Sequence, residues 1–325
     1  FEQALIDLGY DDALDDSVLT ANISGVTMLN ISDGEIISMT GIEDFTALYS
    51  LILPNNEITS IDLSNNTALT DLGIGGNALT TLDVSANTAL TSLGVEGNSL
   101  DSLDVSANTS LTILRCHNNE LTALDVTSNT ALTILSCYNN ELTALDVTSN
   151  TALTELSCSN NNLTSLDVSA NTALTELNCH INSLTSLDVS NNLSLTYLAC
   201  YMNDITSLDV SNIAGLQHLK ANSNELSSLD ISNNPNLVSV GCSRNNLTSL
   251  DVSNNPLLTE IECGGDDNQQ FASLDVSNNT LLYKLYCANL GLTSLDVSAN
   301  TNLHILQTQE NSLTTLDVSN NTLLY

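Results

Sequence analysis

The chain is dominated by one spacing. A Leu-Asp-Val tripeptide, with Ile or Leu in some of its apolar places, recurs every 21 residues. Three extra residues between Asp251 and Asp275 interrupt that register. Units this short and regular cannot each enclose a core, so they bury their apolar faces by stacking on their neighbours. The spacing therefore predicts a repeat solenoid, and it aligns the units so that constant and variable positions can be compared. The aspartates of the tripeptide are Asp62, Asp83, Asp104, Asp125, Asp146, Asp167, Asp188, Asp209, Asp230, Asp251, Asp275, Asp296 and Asp317.

A single unit, from Leu132 to Ala152, predicts the path of the chain within each turn. The alternation through Leu135 and Cys137 indicates a short strand that points those two side chains inward. Parallel strands require a long return segment, which here runs from Leu142 to Ala152. Because 21 residues leave little room for a helix on the outer side, we expect the return to be extended and turn-like.

The first eleven residues of this unit fit the pattern L-x-x-L-x-L-x-x-N-x-L, with Cys137 in the sixth place and Asn140 in the ninth. Over about residues 18–325 the chain resembles the leucine-rich-repeat proteins, especially the short bacterial type with LTxLDVSxNTxLTxLxCxxNxL units. The resemblance implies a right-handed coil with a parallel β-sheet on its concave face and a mostly extended convex side. It also implies that ligands bind on the concave face.

The two ends of the chain suggest an exported piece of a larger protein. Residues 1–25 are expected to form a cap, because Phe1, Leu5 and Leu8 have the spacing of a short amphipathic helix. Residues 26–325 then form about fourteen rungs, with the three-residue insertion near 264–271. The beginning is similar to internalin-like and Bacteroidota surface proteins, which implies an extracellular or cell-surface location. The sequence stops two residues into another strand unit without a polar closing cap, which indicates truncation of a multidomain chain.

The charge is extreme, with 38 acidic and four basic residues and a formal net charge of −34. It argues against nucleic acid and anionic membranes as partners and favours cations or cationic surfaces. No segment approaches the length of a membrane span. We expect each outward Asp of the tripeptide to accept hydrogen bonds from the following turn. Alternatively, neighbouring carboxylates could share Ca²⁺, the only cofactor that the sequence suggests. The candidate calcium ligands are Asp146, Asp167 and Asp188 in the row and Asp266 and Asp267 in the insertion.

All eight cysteines occupy the sixth, inward place of their units. Identical places on successive strands separate the Cβ atoms by about the strand spacing, which is more than the roughly 3.5–4.5 Å that a disulfide requires. A straight row of sulfurs also does not converge on a tetrahedral metal centre. We therefore predict free, buried, structural thiols at Cys116, Cys137, Cys158, Cys179, Cys200, Cys242, Cys263 and Cys287.

The chemical variety lies in the second, third, fifth, seventh and eighth places, whose side chains point out of the strand. These places hold every Lys, Arg and His, and every Tyr except Tyr10. Large, stiff aromatic side chains with polar edges suit recognition surfaces. Acidic neighbours such as Glu155, Glu176, Glu260 and Glu262 give this face a mixed charge. The predicted ligand-binding residues are Arg115, His117, Tyr138, His180, Tyr197, Tyr201, His218 and Lys220.

These patterns favour a non-catalytic binding module. No HExxH motif, Gly-rich phosphate loop, CxxC pair or Ser/His/Asp arrangement occurs in the sequence. The preferred hypothesis is the ectodomain of an exported bacterial surface protein that recognises a protein or glycan during adhesion. A rigid spacer within a larger adhesin is the main alternative. A third is an ice- or mineral-binding surface built on the regular Thr and Asp rows.

Overall fold

The computed structural model describes residues 1–265 and 269–325. The chain separates into two units of tertiary structure, Phe1–Leu153 with Asn160–Asn162 and Thr154–Ser159 with Leu163–Tyr325. We call them unit 1 and unit 2. Asp266 and Asp267, two of the predicted calcium ligands, lie outside the described residues.

Unit 1 begins with the predicted cap. Helix α1 spans Glu2–Asp7 and buries Leu5, and a second short helix, α2, spans Thr20–Ile23. The ring of Phe1 packs 6.0 Å from that of Phe45, which follows a 3₁₀ helix at Ile42–Asp44. The predicted apolar face is formed only in part, because Leu5 is buried whereas Leu8 lies just after the helix and is 47% exposed. Among the described residues, no helix is long and apolar enough to cross a membrane.

Each repeat contributes one three-residue strand, and neighbouring strands within a unit pair in parallel with a constant register. Residue pairs such as Leu114 with Leu135 lie opposite one another, as do Leu198 and Leu219. The paired residues are 21 positions apart in the sequence, so the strand register follows the repeat period. The strands of unit 1 are β1 Met28–Asn30, β2 Ser50–Ile52, β3 Asp71–Gly73, β4 Ser92–Gly94, β5 Ile113–Arg115 and β6 Ile134–Ser136. Those of unit 2 are β7 Glu155–Ser157, β8 Glu176–Asn178, β9 Tyr197–Ala199, β10 His218–Lys220, β11 Ser239–Gly241, β12 Glu260–Glu262, β13 Lys284–Tyr286 and β14 Ile305–Gln307.

The core consists of the same inward positions in turn after turn. In the repeat that begins at Leu132, the strand positions Leu135 and Cys137 are buried, and so are Leu145 and Val147 on the return path. Burying this much apolar surface in every turn supplies the stabilisation that a single 21-residue unit could not provide alone. The predicted fold, a leucine-rich-repeat coil with a parallel sheet and very little helix, is confirmed.

Two rows of asparagine side chains join successive turns. In the ninth place, Oδ1 of Asn119 accepts the Leu100 N–H at 3.0 Å, and its Nδ2 donates to the carbonyls of Val95 and Cys116 at 3.0 and 3.1 Å. These bonds satisfy backbone groups at the turn that leaves the strand. This row corresponds to the Asn of the L-x-x-L-x-L-x-x-N-x-L pattern.

The second row was not predicted. It lies on the return path and is buried throughout, with residues Asn66, Asn87, Asn108, Asn129, Asn150, Asn171, Asn192, Asn234, Asn255, Asn279, Asn300 and Asn321. Asn87 is typical, since its Nδ2 donates to the carbonyls of Leu63 and Asn66 at 3.1 and 2.9 Å. In the sequence this row is an Asn that recurs four residues after the tripeptide Asp. Its burial follows only from the course of the return path.

Where the ninth-place row is interrupted, the insertion supplies a substitute. Gln269 is fully buried, accepts the Asn245 N–H on its Oε1 at 2.7 Å and donates its Nε2 to the Cys263 carbonyl at 2.6 Å. In the following repeat, which has Leu290 in the ninth place, the N–H groups of Leu290 and Leu292 both donate to Oδ1 of Asn311 from the next turn. The hydrogen bonding of the row therefore continues through the change in repeat length.

Candidate recognition surface

The outward side of strands β5 and β6 in unit 1 carries a stacked ring pair. His117 and Tyr138 occupy the seventh place of successive repeats, and their ring centroids lie 4.2 Å apart with an interplanar angle of 16°. Nδ1 of His117 is 3.3 Å from the Ser136 hydroxyl, which helps to orient the imidazole. Arg115 lies on the same outward side and is exposed. Three of the predicted binding residues are therefore neighbours.

The outward side of strands β8 to β10 in unit 2 carries two more ring pairs. His180 stacks on Tyr201 with centroids 4.1 Å apart and planes 9° apart. Tyr197 and His218 lie 5.9 Å apart in a tilted arrangement, and the Lys220 Nζ lies 6.0 Å from the Tyr197 centroid. The structure brings these five predicted residues onto one surface.

A rule connects these pairs, because every histidine has a tyrosine in the same place of an adjacent repeat. The fourth example is Tyr283 with His304, at 4.3 Å. Parallel strands lie about 4.8 Å apart, which suits face-to-face contact between rings in equivalent places. The sequence predicted shared places on the outward face, whereas the stacking itself is a result of side-chain conformation.

Partial burial in the stacks affects how these rings titrate. Desolvation lowers the pKa of His117, while Glu96 acts to raise it and Arg115 to lower it. Desolvation also lowers the pKa of His180, and the positive charge of Lys220 lowers it further. Burial raises the pKa of the Tyr201 hydroxyl, and Tyr197 raises it further. Lys220 has a smaller effect and lowers it. The lowered pKa values of His117 and His180 favour their uncharged form, so these rings present aromatic faces and hydrogen-bonding nitrogen atoms.

The eighth place of most repeats has a left-handed backbone, which suits Gly and Asn. Asn118, Asn139 and Asn160 follow that preference in unit 1. In unit 2 the residues beside the His180 and Tyr201 rings are Ile181 and Met202, with φ values of 52° and 54°. A branched apolar residue is strained in this conformation, and Met202 is 51% exposed. Apolar side chains thus border the stack where other repeats carry polar or small residues.

Acidic side chains on the same face of unit 2 are held by neighbours. Glu176 accepts the Asn178 Nδ2 at 2.8 Å, and Glu262 accepts the Asn222 Nδ2 at 2.8 Å. The Lys284 ammonium lies 3.4 Å from Glu260, the single ion pair within 4.0 Å among the described residues. These contacts give the face fixed, mixed charges.

Unit 1 contains one feature that the sequence did not suggest. The Glu96 side chain lies over Gly75 and Gly94, where a Cβ atom would approach its carboxyl group to 2.8 and 3.0 Å. Its Oε2 is buried without a hydrogen-bond partner in the described part of the chain. In the sequence, the only indication of this arrangement is that Gly75 and Gly94 stand near Glu96 in outward places of their repeats.

The outward aspartates stabilise the turns that follow them by accepting backbone hydrogen bonds. The Oδ1 atoms of Asp146, Asp167 and Asp188 each accept the backbone N–H two residues on at 2.9 Å. Side-chain and then backbone hydrogen bonds from Ser169 lower the pKa of Asp167, and those from Ser190 do the same for Asp188. No group of three or more His, Cys, Asp or Glu residues among those described is arranged to hold a metal ion. Calcium binding stays a prediction.

The cysteine side chains lie in the core as free thiols. Burial raises the pKa of Cys158 and Cys200 to about 12. Leu53, Ile74 and Val95 occupy the same place in the first repeats and are equally buried. The thiols therefore act as small apolar side chains in a place shared with aliphatic residues.

The parallel strands, the constant period and the buried asparagine rows define a leucine-rich-repeat protein. The fold is similar to that of the functional domain of InlJ from Listeria monocytogenes, which includes a cysteine ladder. The two chains are 42% identical with a TM-score of 0.92, over 94% of this chain and 68% of that one. The chain therefore belongs to the internalin-like family of bacterial leucine-rich-repeat proteins.

More distant structures share the fold alone. The internalin InlF from Listeria monocytogenes is 23% identical with a TM-score of 0.81, over 100% of this chain and 93% of that one. A leucine-rich-repeat protein of Leptospira interrogans is 20% identical with a TM-score of 0.75, over 94% of this chain and 89% of that one. No protein-family model and no curated protein matches the chain.

Proposed function

We propose that this protein is an exported bacterial surface protein that recognises a protein or glycan through the outward face of its strands. Leucine-rich-repeat folds of the internalin type are commonly protein-binding modules. Internalin-like relatives are typically surface-exposed or secreted, which supports export. Adhesion to another cell is the role that fits such a location best.

The observation that best supports this proposal is the pairing of every histidine with a tyrosine on the strand face. A rigid sheet that presents stacked rings loses little side-chain entropy on binding, so the contact area contributes more to affinity. Polar ring edges next to exposed apolar side chains such as Met202 can contact either a peptide surface or the apolar face of a sugar. In unit 2, Nδ1 of His180 is also buried without a hydrogen-bond partner among the described residues.

The side chains of the strand face are not placed for catalysis. Its histidines contact tyrosines rather than a nucleophile, and the thiols are buried with raised pKa values. A general base must lie within hydrogen-bonding reach of the group that it deprotonates. A non-catalytic role is therefore part of the proposal.

The test uses the full chain with Tyr197→Ala and Tyr201→Ala combined. Labelled wild-type protein would be applied to a glycan array and to cultured host cells, and bound protein would be quantified. We expect the double variant to lose at least about tenfold in affinity, as for residues at the centre of an interface. Substitution of two exposed threonines on the return path, Thr164→Ala with Thr185→Ala, is the matched control and should leave binding unchanged.

Two results would contradict the proposal. Undiminished binding by the tyrosine variant would place recognition elsewhere on the chain. An absence of binding by the wild-type protein in both assays would favour the alternative of a rigid spacer within a larger adhesin.

A further inference from the structure

The Lys220 ammonium in unit 2 lies among aromatic rings and has no acidic partner in the described part of the chain. Its Nζ is 6.0 Å from the Tyr197 ring centroid, and its positive charge acts on both His180 and Tyr201. The Lys220 side chain is exposed. The one ion pair closer than 4.0 Å within the described ranges joins strands β12 and β13 instead. The ammonium is therefore accessible to an anion from solution.

The strands around this ammonium differ in charge from the rest of the chain. Strands β9, β10 and β11 contain no Asp or Glu. The unpaired acids of the nearest acidic strands are Glu176 in β8 and Glu262 in β12, each about 10 Å from the Lys220 backbone along the sheet. Their carboxylates accept hydrogen bonds from Asn178 and Asn222. Charges further away than about 8 Å are largely screened at physiological ionic strength, so an anion at this place meets a positive group first.

The amide of Asn222, which follows strand β10, is turned away from the rings. Its Oδ1 accepts the Ser243 N–H at 3.1 Å, and its Nδ2 donates to Glu262 at 2.8 Å, both on later turns of the coil. Gly241 permits this orientation, since a Cβ atom there would lie 2.6 Å from the Asn222 Oδ1. The space beside the Tyr201 ring in the following repeat is therefore not filled by the Asn222 amide.

The Tyr201 ring consequently has one open face. His180 stacks on the first face with ring centroids 4.1 Å apart. The second face is directed toward the following repeat, where Asn222 leans away, and Tyr201 is only partly buried. Met202, which is 51% exposed, extends the apolar surface beside the ring. An apolar surface the size of one ring thus lies next to the exposed ammonium of Lys220.

We infer that Lys220 and the open face of Tyr201 bind a terminal sugar that carries a carboxylate, such as a uronic acid, on a glycan ligand. The apolar face of a sugar ring can pack on an aromatic ring while its hydroxyl groups stay in water. An ammonium is a compact charge with three rotatable donors, which suits a single carboxylate. A terminal sugar brings one negative charge, whereas an acidic protein brings many toward a chain of net charge −34. This inference rests on the proposed function and names the ligand class of the same face.

The experiment is an NMR titration of the isotope-labelled full chain with methyl β-D-glucuronide, followed through the ring signals of Tyr201 and His180. We expect saturable shifts in the wild type. Methyl β-D-glucoside has a hydroxymethyl group in place of the carboxylate and should bind at least about tenfold more weakly, which corresponds to about 1.4 kcal/mol. Lys220→Gln should weaken glucuronide binding by a similar factor, whereas Lys220→Arg keeps the positive charge and should retain most of the affinity.

The control is Arg244→Gln, which removes the same charge from another exposed cation of unit 2 and should leave glucuronide binding unchanged. Equal weakening by Arg244→Gln and Lys220→Gln would show a general charge effect and overturn the inference. Equal affinity for glucoside and glucuronide would overturn it too, as would tighter binding of acetylated tetraglutamate amide or the absence of shifts. If the wild type binds in the array or cell assay and the Tyr197 and Tyr201 variant does not, the proposed function stands even when glucuronide fails to bind.

Discussion

The buried asparagines of the return path provide the sharpest test of how the coil is held together. Nδ2 of Asn66, which is fully buried, donates to the carbonyls of Ile42 and Phe45 at 2.9 and 3.1 Å. Asn66→Ala removes both donors. Asn65→Ala makes the same substitution at the adjacent exposed position, where the next repeat carries Ala86. The two variants therefore differ in burial and hydrogen bonding rather than in chemistry.

The magnitude follows from the bonds that remain. Ile42 and Phe45 keep one backbone donor each, from Phe45 N–H and Leu48 N–H, so neither carbonyl is left unpaired. Each lost bond then costs about 1 kcal/mol. The small cavity left by the amide raises the expected loss in unfolding free energy to about 2–3 kcal/mol. Asn65→Ala should change it by less than about 0.5 kcal/mol, as is usual for surface substitutions.

Urea unfolding followed by far-ultraviolet circular dichroism measures this difference. We expect a lower midpoint for Asn66→Ala with an unchanged denaturant slope, since a change in midpoint alone reports a change in stability. Equal midpoints for the two variants would show that the second asparagine row does not stabilise the coil.

Four further predictions address other parts of the chain. Bonds from the Thr127 hydroxyl and then its backbone N–H lower the pKa of Asp125. The stabilisation by this carboxylate is therefore present above about pH 4 and lost as the pH falls through the lowered folded-state pKa. The melting temperature of wild type should exceed that of Asp125→Asn near neutral pH, and the gap should close in acid; a gap that persists at pH 2 would contradict this. The buried thiols should resist a thiol reagent in native protein and all eight should react in denaturant, so rapid native labelling would show exposure. Ile181→Asn should raise the urea midpoint by relieving about 1 kcal/mol of left-handed strain, whereas a lower midpoint would show that apolar contacts of Ile181 outweigh it. If neighbouring aspartates share Ca²⁺, excess calcium should raise the melting temperature relative to EDTA, and identical values would count against shared sites.

Much of the architecture was available from the sequence because its determinants are repeated and local. The inward places are apolar in every unit, so the strand, the return path and the stacking direction follow from the period alone. The ninth-place asparagines and the outward aspartates could be assigned in the same way. The candidate recognition residues were predicted as a set, because the variation between repeats is concentrated in the outward places of the strand.

Individual contacts required the tertiary structure. That His180 and Tyr201 share a place could be counted from the sequence, but their parallel stacking depends on side-chain rotation between paired strands. The burial of Asn66 depends on the preceding turn, whose carbonyls lie 21 and 24 residues away in the chain. Gln269 could not be recognised as a replacement for Asn, because the insertion removes the alignment on which that comparison relies.

The sequence by itself determined that this chain is a coil of short parallel strands with one varied face, since a 21-residue period with constant apolar places has no other way to bury its surface. The tertiary structure alone decided which varied side chains contact one another and which polar atoms are left without partners. The reason is physical. Burial pattern is a property of each repeat, whereas ring stacking and an unpaired carboxylate such as that of Glu96 arise between repeats, where distances of a few ångströms determine the interaction.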